Sequence, residues 1–118
     1  MEILQSSVNG SDPQFLENRD FMQAFMQEFR GHVEKVKAGG GDTSVAKHKD
    51  RGKLLARERI NELVDPGTAF LEFSTLSAHG MYGDAAPGAG IVTGIGVIHG
   101  TQCVIVANDA TVKGGTYF

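Results

Sequence analysis

The sequence predicts an α/β chain in which helices come first and a small sheet follows. Apolar residues recur at helical spacing through the first third, and β-branched runs broken by glycine fill the last third. Charge divides the same way: residues 1–66 hold 10 of the 11 Lys and Arg and 11 of the 14 Asp and Glu. That leaves Glu72, Asp84, Asp109 and Lys113 as the charged residues thereafter, so a solvated half precedes a buried one. The 118 residues fit one ordinary domain. Glycine stands out at 16 residues, where average usage gives about 8, which points to tight turns or close backbone approach.

Asp12-Pro13 is a helix start, since the carboxylate can accept from orphan N–H groups and proline at the first helical position sacrifices no hydrogen bond. Phe15, Met22, Met26, Phe29, Val33 and Val36 then form one stripe, and Gly39-Gly40-Gly41 ends the helix. Phe21 and Phe25 widen the stripe into a face suited to a partner surface. After the glycines, Asp42, Thr43 or Ser44 caps a second helical segment that breaks near Gly52 and resumes from Leu55 to Val64. Asp65-Pro66-Gly67 stops it.

This second segment carries Lys47, Lys49, Arg51, Lys53, Arg57 and Arg59 against Asp50 and Glu58, a local charge of +4 within a chain whose net charge is −3. Were the helix continuous, Lys53 and Arg57 would be an i,i+4 pair with no carboxylate between them, facing a phosphate or plain water.

In the second half, 70–73 reads as a short strand, 76–89 as a loop of small residues, and 91–98 and 102–107 as a hairpin turned at His99-Gly100. The last strand is apolar at successive positions, which predicts cover on both faces. Gly94 and Gly96 leave room for another segment to press on the first hairpin strand. Beyond the hairpin, Asn108 to Gly115 is a polar loop at a strand end, where backbone N–H groups can be held for an anion. The residues alone leave ligand contact and structural turn both open. A core position is expected for Cys103, which has no second cysteine to pair with, so a reducing compartment follows.

Several functions are set aside. A net charge of −3 argues against a nucleic-acid binder, and no run approaches the roughly 18 apolar residues of a membrane helix. Neither a secretory signal nor a transit peptide is evident in residues 1–12, which suggests the cytoplasm. The glycines 94, 96 and 100 lie within a strand and at its turn, not between a strand and a helix, so they are no dinucleotide fingerprint. His32, His48, His79 and His99 are too scattered for a metal site. Neither a nucleophile elbow nor a Walker loop is present. The ending at Thr116-Tyr117-Phe118 without a polar tail, after strands with open edges, reads as part of a larger protein.

Three blocks, 51–60 (RGKLLARERI), 90–96 (GIVTGIG) and 107–117 (ANDATVKGGTY), together resemble the amino-terminal part of biotin-dependent acyl-CoA carboxylase carboxyltransferase (beta) subunits. The resemblance is nearest to those acting on 3-methylcrotonyl-CoA in leucine degradation. A common variant in that family has proline where Ala56 stands.

The resemblance implies a crotonase-like (ClpP/crotonase) fold, with residues 1–38 an N-terminal helical segment and 39–118 the start of the first carboxyltransferase domain. It implies transfer of a carboxyl group from carboxybiotin, carried by an alpha subunit, to an acyl-CoA, in a bacterial cytoplasmic assembly that also contains several beta subunits. No metal is implied. The oxyanion donors of the family lie beyond Phe118, so no catalytic residue is expected within this chain, which alone should be inactive. Arg51, Lys53 and Arg57 become candidate contacts for the phosphates of CoA, and Asn108, Lys113, Gly114 and Gly115 candidates near the CoA. The alternatives are a carboxyltransferase for geranyl-, propionyl- or acetyl-CoA, a related decarboxylase, or a non-catalytic interaction module.

Overall fold

The computed structural model describes residues 3–116; Tyr117, Phe118 and the reading placed on them lie outside that range. Helices α1 (Pro13–Lys37), α2 (Asp42–Asp50) and α3 (Ala56–Leu63) precede strands β1 (Leu71–Phe73), β2 (Ile91–Ile98) and β3 (Thr101–Asn108). Two compact units divide the chain, one ending at Gly31 and one beginning at His32. In the first, the Asp12 carboxylate accepts from the Gln14 N–H at 2.8 Å and opens α1 as its sequence predicts. The aromatic face there is open, with Phe21 and Phe25 both more than half exposed.

The second unit is built on an antiparallel sheet of order β1-β2-β3. Its core combines Ala56 and Ile60 of α3 with Val92, Ile105 and Ala107 of the hairpin, flanked by Val64, Phe70, Ile98 and Cys103. Removing the Ile60 side chain would cost roughly 2–5 kcal/mol, the range for a buried aliphatic cut to alanine. Gly94 and Gly96 act as the sequence suggests: a Cβ on Gly94 would lie 2.4 Å from the Phe70 ring, and one on Gly96 would lie 2.7 Å from Val64. These two bare positions let α3 and its exit segment settle directly on β2.

The hairpin turn is fixed from outside its own sequence. His99 and Gly100 both adopt positive φ, as a tight two-residue turn requires. Their N–H groups donate to Asp65 Oδ1 and Oδ2, each at 2.7 Å. Asp65, two residues past the end of α3, thus anchors the turn.

One expectation fails. The β3 strand is covered on one face only: Ile105 and Ala107 are buried, while Val104 and Val106 are 72% and 58% exposed. With Leu71, Ile95 and Phe73 they make an open apolar face, because the register stacks Leu71, Ile95 and Val104 in one row across the three strands. Successive apolar residues record a preference for cover on both sides, whereas the cover itself must come from another element.

Candidate functional site

The basic segment does not form the continuous helix on which its pairing argument rests. A turn at Arg51-Gly52 separates α2 from α3, so Lys53 lies in the loop between them and Arg57 in α3. Arg57 forms a two-pronged ion pair with Glu72 of β1, where the sequence reading has its charge facing a phosphate or water. Lys49 is likewise paired with Glu58, whose carboxylate also accepts from the Leu55 N–H at 2.8 Å at the start of α3. The Lys49 ammonium, and after it the Leu55 N–H, hold the Glu58 carboxyl below its usual range. Two of the six cations are therefore spent within the fold. The uncompensated i,i+4 pair is Lys47 and Arg51, at the C-terminal end of α2.

These two residues line a cleft of about 470 Å³. Ser44, Lys47, His48 and Arg51 line it from α2 and its C-cap, residues 110–114 line it from the loop after β3, and Gly40 and Ala85 complete the lining. Its lining contains three full cations, Lys47, Arg51 and Lys113, and no carboxylate. Among the described residues none of the three has an ion-pair partner. His48 Nε2 lies 3.0 Å from the Leu54 carbonyl oxygen; that oxygen can only accept, so Nε2 carries a proton. The ring thereby ties α2 to the turn that follows it.

The sequence candidates separate into two groups. Arg51, Lys113 and Gly114 come together in this cleft, and Lys53 faces an adjoining one with His48, Arg59 and Ala110. Arg57, Asn108 and Gly115 do not line it. The Asn108 amide donates to the Gly115 carbonyl at 3.1 Å and closes the loop on itself. Gly115 has φ +83°, a backbone conformation that favours glycine, and a Cβ there would lie 3.4 Å from Ala110 Cα. Around Gly114, also at positive φ, a Cβ would meet open space.

Lys47, His48 and Thr111 are cleft residues that the sequence argument did not select. The four-residue step from Lys47 to Arg51 was the available signal. Thr111 lies in the 108–115 loop already read as a candidate anion contact, but its link to Gly40 spans 71 residues and carries no local signal. No group of three or more His, Cys, Asp or Glu suited to a metal ion occurs among the described residues.

Residues 47–118, which contain nearly the whole cleft, match the family model described as the carboxyl transferase domain. The chain belongs to the carboxyl transferase domain family. The mitochondrial methylcrotonoyl-CoA carboxylase beta chain of Arabidopsis thaliana is 48% identical over 116 residues, covering 98% of this chain and 20% of the relative. The biotin-dependent 3-methylcrotonyl-coenzyme A carboxylase beta1 subunit of Mycobacterium tuberculosis is 54% identical over 99 residues, covering 84% of this chain and 19% of the relative.

Among solved structures, the beta subunit of P. aeruginosa geranyl-CoA carboxylase matches with a TM-score of 0.82 at 37% identity, over 97% of this chain and 21% of that one. The chain therefore has the crotonase-like fold of carboxyltransferase beta subunits and spans about a fifth of the length of the curated relatives it matches. No helix among its described residues is long and apolar enough to cross a membrane.

Proposed function

We propose that this chain supplies the CoA-phosphate side of a carboxyltransferase that moves a carboxyl group from biotin, carried by a partner alpha subunit, to an acyl-CoA. The observation that carries the reading is the cleft with Lys47, Arg51 and Lys113 and no carboxylate. CoA presents a pyrophosphate and a 3′-phosphate, and a guanidinium fork beside two ammonium groups suits such oxyanions. Lys53 and Arg59 in the adjoining cleft extend the positive surface. Arg57, Asn108 and Gly115 are assigned to holding the scaffold, and no residue of this chain is assigned to biotin.

Contacts to the nucleotide end of a thioester are remote from the reacting carbon and persist from ground state to transition state. They lower KM and leave kcat alone. We take 3-methylcrotonyl-CoA as the acyl substrate, supported by relatives of that name at 48% and 54% identity. The geranyl-CoA carboxylase likeness supports geranyl-CoA as the second reading. We take the domain to begin at residue 39, after the end of α1, and several beta subunits to assemble together. The bacterial cytoplasm is the proposed setting, supported by the unpaired Cys103 and the M. tuberculosis relative.

The test is steady-state kinetics of the holoenzyme containing this chain. Arg51→Ala and Lys113→Ala should each raise KM for 3-methylcrotonyl-CoA about tenfold with kcat little changed, equivalent to about 1–2 kcal/mol per charge-assisted contact. Unchanged KM in both variants would return the cleft to a solvated surface. Comparing kcat/KM for 3-methylcrotonyl- and geranyl-CoA decides between the two substrates.

A further inference from the structure

We infer that Thr111 is a positioning residue for the basic cleft: its buried hydroxyl, oriented by Asp109, fastens Gly40 and so sets the spacing between the two cationic walls. The inference rests on the phosphate-side reading of that cleft.

Thr111 and Asp109 are 6% and 8% exposed, the two buried polar residues of the described chain. Asp109 Oδ1 accepts from the Thr111 N–H at 2.9 Å and from its hydroxyl at 2.6 Å. A hydroxyl has one proton and here the carboxylate takes it, so the oxygen's lone pairs are left facing outward. One of them accepts from the Gly40 N–H at 2.9 Å. The relay is directional, running from Gly40 through Thr111 to a charged acceptor, and charge-assisted bonds of this kind are about twice as strong as neutral ones.

Its position gives it a consequence for the site. Gly40 stands two residues before α2, which carries Lys47 and Arg51. Thr111 stands two residues before Lys113 on the opposite wall. A Cβ on Gly40 would fall 1.8 Å from the Thr111 carbonyl oxygen, so the two backbones are already in contact where the bond forms. The same link therefore holds both sets of cations in register. Asp109 does this without lining the cleft, whereas Thr111 does line it. A carboxylate among the cleft cations would compete with phosphate; one spent on a buried hydroxyl and N–H does not.

The experiment measures KM and kcat of the holoenzyme with 3-methylcrotonyl-CoA and with 3-methylcrotonyl-pantetheine, which lacks the nucleotide phosphates. Thr111→Val, similar in shape but without the hydroxyl, should raise KM for the CoA ester five- to twentyfold. It should leave kcat within twofold and KM for the pantetheine ester unchanged. Thr111→Ser keeps both hydrogen bonds and should behave as the unaltered enzyme.

An equal rise in KM for both esters would overturn the inference, since a general loss of structure does not distinguish phosphates. Wild-type kinetics for Thr111→Val beside a CoA-specific defect in Arg51→Ala would overturn the positioning role and leave the cleft assignment intact. Failure of Arg51→Ala and Lys113→Ala to alter KM would remove both. If Thr111→Val does not assemble, Asp109→Asn, which keeps an oxygen acceptor and loses the charge, is read by the same criteria.

Discussion

Arg57 and Glu72 fasten α3 to β1 through two hydrogen bonds, Nη2 to Oε1 at 2.6 Å and Nε to Oε2 at 3.1 Å. Both side chains are largely shielded, at 24% and 18% exposure, and Glu72 pairs in register with Gly94 of β2. The fork thus joins the helix to the sheet edge beside the glycine on which Phe70 rests.

Removing one partner strands the other. Arg57→Ala and Glu72→Gln should each destabilise the protein by about 1–3 kcal/mol, the range for a lost hydrogen bond to a charged group. Thermal denaturation measures the loss, and KM for acyl-CoA should not move in either variant. A raised KM with unaltered melting temperature would restore Arg57 to the ligand.

Asp65 predicts a pH dependence. The Gly100 N–H, followed by the His99 N–H, holds its carboxyl below the usual range. A depressed folded-state value contributes stability that is present above the unfolded value, around pH 4, and lost as pH falls through the folded value. Unfolding midpoints recorded from pH 6 down to pH 2 should therefore drop more steeply for the native protein than for Asp65→Asn. Parallel curves would count against this role for the carboxylate.

Gly40 and Gly41 separate two kinds of glycine requirement. A Cβ at Gly40 would overlap the Thr111 carbonyl, whereas at Gly41, with φ +88°, it would meet nothing. Gly41→Ala should cost about 1–3 kcal/mol from backbone strain alone, since φ +88° with ψ 163° is a conformation that essentially only glycine adopts. Gly40→Ala must displace a main chain and should cost more, with the cleft opened as well. Equal melting temperatures for the two variants would contradict the close approach.

The open sheet face of Leu71, Phe73, Ile95, Val104 and Val106 predicts the behaviour of the 118-residue chain expressed alone. It should bind a hydrophobic dye and elute as an associated species, and Val104→Lys with Val106→Lys should shift it towards the monomer. A monodisperse native monomer that binds no dye would show that this face does not need cover.

Much of this architecture was written locally. Asp12-Pro13, the triple glycine, Asp65-Pro66-Gly67 and His99-Gly100 are signals carried within a few residues, and each marks a boundary or turn that the structure contains. Local chemistry suffices there because caps, prolines and positive-φ turns act on the backbone immediately around them. The excess of cations between Lys47 and Arg59 was equally plain, as were Gly94 and Gly96 as places of close approach. Which cations face the cleft was not plain. Glu58 reaches Lys49 over nine residues and Glu72 reaches Arg57 over 15, and only the folded chain brings those carboxylates to them. Thr111 meets Gly40 across 71 residues for the same reason. Sequence by itself determined the elements, their ends and the sign of the charge. Tertiary structure decided which charges are neutralised and which remain for a ligand, because an ion pair depends on distance in space and not on distance along the chain.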